Sequence, residues 1–195
     1  MQIRKFFHSC LRPISTRREL FVLFNCLFFG CVFVAALFAQ FVFSPSLFLG
    51  WSPRVPEVFV WSGTFLFFGI FLFNLVVAAF VFVTLPGFVF FPLSVVALLF
   101  RAVLWGLLVY DAPSWVFLAA LPVIIFEGEA YVVAALAGTV VGVSWFKLKW
   151  VCADEELSRV EAFKKGFAKC LRLYVVVGLL LFVAAIVETV MLLNV

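Results

Sequence analysis

Charge is what this sequence has least of. Only 12% of its 195 residues are Asp, Glu, Lys or Arg, against a hydrophobic fraction of 67% and a mean hydropathy of +1.28, whereas a soluble globular domain is about half apolar. That excludes a water-solvated fold and leaves lipid as the main solvent. Histidine is reduced to His8, and the five cysteines (Cys10, Cys26, Cys31, Cys152, Cys170) form no CxxC and no zinc-ligand spacing with it. No metal site is expected, and the thiols are expected to be reduced and unpaired. Also missing are a nucleophile elbow, an HExxH helix and a phosphate-binding glycine loop. Intramembrane aspartyl chemistry needs two facing Asp residues, which are not there either. The chain is therefore expected not to be an enzyme, and to carry no catalytic residue, cofactor or metal.

What is present is bulk and a lopsided distribution of the few charges. There are 29 phenylalanines, with six tryptophans and three tyrosines available as interface anchors. Formal net charge is +4, and its placement says more than its sum. Arg4, Lys5, Arg12, Arg17 and Arg18 precede the first apolar run, and Lys147, Lys149, Arg159, Lys164, Lys165, Lys169 and Arg172 form a second group. Basic residues next to spans stay on the cytoplasmic side. The excess reads as topology, not as nucleic-acid binding.

In chain order, residues 1–19 form a basic cytoplasmic segment, amphipathic up to Pro13, which is expected to end it. Thr16-Arg-Arg-Glu19 has the form of a capping box at the start of the first span. Residues 20–195 make one membrane domain, with spans at about 20–43, 58–85, 88–110, 115–146 and 173–193, each long enough for a core of about 30 Å. The apolar run after Glu19 is too long for a cleaved signal and has no A-x-A-like end, so it is expected to be retained. Ser44–Glu57, with Pro45, Pro53 and Pro56, reads as an outer loop, Pro86-Gly87 as a tight turn and Asp111-Ala-Pro113 as another. Residues 115–146 would make about 48 Å of straight helix, so the fourth span is expected to be bent at Pro122 and Gly128, or to consist of two half-helices. Asp154–Leu171 reads as an amphipathic cytoplasmic helix. A single net crossing of residues 115–146 keeps both basic groups on one side. The expected fold is an all-α polytopic transmembrane bundle of five crossings in the plasma membrane, N-terminus cytoplasmic and C-terminus outside.

Four polar side chains stand near mid-span: Asn74, Arg101, Glu127 and Glu129. A carboxylate there costs about 2.5–3.5 kcal/mol on insertion scales, so it persists where a partner, a cavity or a task exists. Residues two apart on a helix point about 200° apart. Glu127 and Glu129 can therefore face one partner only if the helix breaks at Gly128. The set is either a structural clamp, in which Arg101 neutralises one acid and Asn74 bonds the other, or a proton or cation relay with a titrating Glu127, or a place for a ligand or a partner's charge. Ala130, Ala134, Gly138 and Gly142 form a small-xxx-small row that lets another helix approach, either within the chain or in a second copy.

These residues resemble the stage II sporulation protein M (SpoIIM-like) family. Its block close to P-H-G-x-F-E-x-x-A is met by Pro122, Phe126, Glu127 and Ala130, with Val123 and Ile124 in place of the histidine and glycine. An N-G-x-x-x-G block is matched in spacing by Arg101-Ala-Val-Leu-Trp-Gly106, preceded by Gly87 and Pro92. The likeness covers about Asn74 to Gly142. It implies an integral membrane protein whose sporulating relatives join a complex that remodels peptidoglycan during engulfment. The expected role is a non-enzymatic scaffold or subunit of a membrane complex. The alternative is an ion- or proton-coupled transporter or channel using Glu127. The partners implied are the lipid bilayer and either further copies or other membrane proteins, with no nucleic acid.

Overall fold

The computed structural model describes residues 2–42, 63–111, 114–146 and 158–193, all but a few of them helical, with no strand among them. The outer loop read at Ser44–Glu57, residues 112 and 113 of the Asp111–Pro113 turn, Lys147, Lys149, Cys152 and the acidic run Asp154–Glu156 lie outside the described residues, as do the side chains of residues 2–8. In order the helices are α1 (Gln2–Thr16), α2 (Arg18–Val42), α3 (Gly63–Leu72), a π-helical stretch (Phe73–Thr84), α4 (Leu85–Val89), α5 (Pro92–Asp111), α6 (Ser114–Trp145) and α7 (Arg159–Leu193). Because α3, the π stretch and α4 run on without interruption, five helices are long and apolar enough to cross a membrane: Arg18–Val42, Gly63–Val89, Pro92–Tyr110, Ala120–Trp145 and Arg159–Leu193.

Helix α6 is the axis of the bundle. Every residue from Ala130 to Ser144 is buried, with α7, α2, α4, α5 and the π stretch all packed around it. A helix enclosed on all sides has no polar face to keep, and apart from Tyr131 and Leu136 this stretch is built from Ala, Gly, Val, Thr and Ser, whose small volume lets neighbouring backbones close in. An ideal Cβ on Gly138 would stand 2.6 Å from the Thr84 carbonyl oxygen and 2.2 Å from Ser94 Oγ, and one on Gly142 2.1 Å from the Gly87 carbonyl oxygen. The lower row of small residues is thus filled from within the chain, by the α4–α5 corner. Gly106 plays the same part between α5 and α2, where its Cβ would meet the Val32 carbonyl oxygen at 2.5 Å.

Several local expectations give way to packing. Pro13 sits inside α1, which continues to Thr16. Thr16 Oγ1 donates back to the Arg12 carbonyl at 2.8 Å, so it does not cap Glu19. A capping box does form at Ser158-Arg-Val-Glu161, where Ser158 N–H donates to Glu161 Oε2 at 2.9 Å and Glu161 N–H to Ser158 Oγ at 3.3 Å. Pro86-Gly87 is not the turn between the second and third spans. Pro86 is carried inside the continuous Gly63–Val89 helix, and the chain breaks instead at Phe90, which is extended (φ −149°, ψ 114°) two residues ahead of Pro92.

The fourth span is one continuous helix with Pro122 inside it, not a pair of half-helices. Gly128 serves close approach and not a break, since a Cβ there would meet Phe28 Cε1 at 2.7 Å and Phe29 Cζ at 3.0 Å. The amphipathic helix and the last span are likewise a single helix, α7. Its buried stripe, Ala162, Gly166, Cys170, Leu173, Val177, Leu181 and Ala184, steps by four or three residues without interruption. One face therefore serves both halves.

Candidate functional site

The π stretch sets one wall of the site. Its buried residues are Asn74, Ala78, Ala79, Val83 and Thr84, a repeat of nearly five residues that suits i→i+5 bonding and would be scattered round an ordinary α-helix. Asn74 and Thr84 are thereby both turned toward α6. Thr84 Oγ1 lies 2.9 Å from the Ala134 carbonyl oxygen and 2.7 Å from Tyr174 OH of α7, a lower polar contact that ties three helices.

The upper contact contains the charges. Asn74 Nδ2 donates to Glu127 Oε1 at 2.5 Å. Arg101 Nη2 of α5 donates to Tyr131 OH at 2.9 Å, and the guanidinium carbon stands 4.9 Å from the centroid of the same ring. The tyrosine hydroxyl has Asn74 Oδ1 at 3.2 Å and Glu127 Oε2 at 3.4 Å, and its single hydrogen serves one of them at a time. When it serves Asn74, every donor in the series Arg101, Tyr131, Asn74 points toward the Glu127 carboxylate. The Arg101 cation at one end polarises the bonds along the series in the same sense.

Of the four polar residues read from the sequence, the fold brings Asn74, Arg101 and Glu127 together. Arg101 is partly buried and turned inward to Tyr131, but has no direct ion pair with Glu127 or Glu129 within hydrogen-bonding distance among the described residues. Glu129 is not a member of the group. As the unbroken helix requires, it faces the other way, toward α2, with Asn25 as its polar neighbour. It is partly exposed, whereas Glu127 is 2% exposed.

Two members were not anticipated. Tyr131 stands four residues after Glu127 and so shares its face, a spacing that could have singled it out. Glu188 of α7 interacts electrostatically with Arg101, Glu127 and Tyr131. Helix α6 starts thirteen residues before Glu127, while α7 ends five residues after Glu188. Only this stagger brings the two acids near one depth. The stripe offered a clue, since Glu188 follows Leu181 and Ala184 at the next four-residue step. Arg101 Nε and Glu188 Oε2 are buried without a hydrogen-bond partner among the described residues.

No group of three or more His, Cys, Asp or Glu that could hold a metal occurs among the described residues. Cys10, Cys26, Cys31 and Cys170 are free thiols. A recess of about 680 Å³ lies elsewhere, lined by Phe88, Val89, Trp145, Phe146, Arg159 and Phe163.

Helices of this length and hydropathy around a buried polar cluster make the protein an all-α, multi-pass integral membrane protein. The chain belongs to the stage II sporulation protein M family, whose model matches residues 27–191. That match takes in the three middle spans whole, the first from Leu27 and the last as far as Met191, with both acids of the cluster and Arg101. No curated protein and no solved structure matches the chain.

Proposed function

We propose that this protein is a non-enzymatic subunit of a membrane complex, and that Asn74, Arg101, Glu127 and Tyr131 act as an internal clamp fixing the order of its helices. The observation that carries this reading is the enclosure of Glu127. At 2% exposure, it has Asn74 at one oxygen and Tyr131 at the other. A group with its acceptors occupied inside the bundle holds helices together. The placement of Arg12, Arg17, Arg18 and the basic half of α7 supports a cytoplasmic N-terminus in the plasma membrane and an outer C-terminus.

A second reading, proton- or ion-coupled transport through Glu127, draws on the two carboxylates set against one guanidinium and on the unpartnered Arg101 Nε and Glu188 Oε2. Glu127→Gln and Glu127→Leu separate the two. Under the clamp reading, purified protein in vesicles carries no flux driven by a pH gradient. Glu127→Gln, which can still accept from Asn74, keeps the bundle assembled, and Glu127→Leu weakens it. A pH-driven flux in the wild type that vanishes in Glu127→Gln replaces the clamp by the transporter.

A further inference from the structure

The outward face of α6 ends in an acid that no basic side chain neutralises among the described residues. Pro122, Leu118 and Ile125 are exposed, the last two at 65% and 50%, and Glu129 continues the same stripe at the next four-residue step, partly exposed. From Ala130 to Ser144 the helix is enclosed. The stripe is bordered by α2, whose Asn25 is hydrogen-bonded to the Glu129 carboxylate and also donates Nδ2 to the Phe21 carbonyl at 3.1 Å. Gly30, one turn beyond Cys26 on α2, leaves open space, with nothing within 4 Å of an added Cβ.

We propose that this face, Leu118, Pro122, Ile125 and Glu129 with Asn25 at its edge, docks a transmembrane helix of another protein that presents a lysine or arginine near mid-membrane. The inference rests on the subunit reading above and names the surface and the partner's chemistry. Charge complementarity selects the occupant. A partly exposed carboxylate at mid-span needs a cation or a cluster of donors, and one amide supplies little of that.

Among the described residues, no basic side chain of a second copy meets the need. Arg101 is turned the other way, to Tyr131. The remaining basic residues whose side chains are described are Arg12 of α1, Arg17, Arg18 at the start of α2, and those within Arg159–Arg172 of α7. None of these reaches mid-span in a copy related by rotation about the membrane normal.

The test uses the full chain, donor-labelled, in phosphatidylcholine vesicles, with an acceptor-labelled leucine–alanine peptide of about 24 residues bearing one central lysine. Controls bear a central leucine or a central glutamate. Energy transfer should show half-saturation at about a tenfold lower peptide density for the lysine peptide than for the leucine peptide, and none for the glutamate peptide. The preference should disappear in Glu129→Gln. Ile125→Trp, which obstructs the stripe and leaves the acid in place, should weaken both peptides.

Equal association of lysine and leucine peptides overturns the proposal. So does a lysine preference that survives in Glu129→Gln. Energy transfer between copies of the chain that is lost in Glu129→Gln overturns it in favour of a second copy. Migration in mild detergent separates this claim from the one beneath it. A complex that stays larger than the chain's own 22.0 kDa in both wild type and Glu129→Gln puts the partner elsewhere and overturns only this surface. A wild-type chain that migrates alone overturns the subunit reading as well.

Discussion

On one face of α6, Glu127 is 2% exposed and meets Asn74, Tyr131 and, through the tyrosine, Arg101. Two residues on, Glu129 is partly exposed beside Asn25, on the stripe that carries Leu118 and Ile125 outward. Two identical side chains thus have opposite surroundings because an unbroken helix turns them about 200° apart. The difference teaches that an acid within a span does not by itself indicate its task. The neighbouring helices decide whether it is an internal fastening or part of an outer surface.

The contrast can be broken most severely on the enclosed side. Gly138→Val would drive a branched side chain against the Thr84 carbonyl and Ser94. Overpacking of this kind costs about 1–3 kcal/mol, more where backbone is the obstacle, so folded protein should be lost from a detergent unfolding titration. Next, Glu127→Leu leaves the buried Asn74 Nδ2 donor without its acceptor. A loss of about 1–3 kcal/mol is expected, with the midpoint of the same titration as readout, and Glu127→Gln should lose less than half of that.

A double-mutant cycle between Asn74→Ala and Tyr131→Phe would sharpen the picture of one connected group. Coupling between hydrogen-bonded side chains in membranes averages about 0.6 kcal/mol with a maximum near 1.7, and a value in that range is expected here. Zero coupling would mean that the two residues act separately. On the outer side, Glu129→Gln should move the midpoint by less than about 0.5 kcal/mol, since its effect belongs to association and not to folding. The smallest effect is expected from Gly30→Ala, whose added methyl meets nothing within 4 Å. Stability should be unchanged or slightly higher, because alanine is the better helix former.

Much of this architecture is legible in the chain. The first span was read at about 20–43 and is α2, Arg18–Val42; the third was read at about 88–110 and begins at Pro92. Long apolar runs and clustered basic residues are local signals, and lipid leaves the backbone of such a run little choice but a helix. Corners were harder. Pro86-Gly87 looks like a turn, yet Gly87 is held against Gly138 and Ser94, so a residue pair that reads as a break is a contact. The join in α7 was invisible for a related reason. The charge pattern changes along it, from Lys164, Lys165 and Lys169 to an apolar half, while the buried stripe does not.

At the site, Asn74, Arg101 and Glu127 could be named from the cost of polar groups in lipid. Which acid meets which donor could not. The stagger of α6 and α7 is set by pairs such as Gly166 against Ser144, where a Cβ would stand 2.2 Å from the hydroxyl, and it alone brings Glu188 to the cluster. The π stretch that turns both Asn74 and Thr84 inward leaves no mark in an apolar sequence, because one extra residue per turn changes no composition.

Hydropathy and the positions of lysine and arginine were thus enough to make this a helical, multi-pass membrane protein with ionisable groups in its interior, since transfer of each residue between water and lipid is a property of that residue alone. The pairing of those groups belongs to the tertiary structure. It depends on rotation and axial offset between helices, and these are settled by how small residues such as Gly106, Gly138 and Gly142 let neighbouring backbones meet.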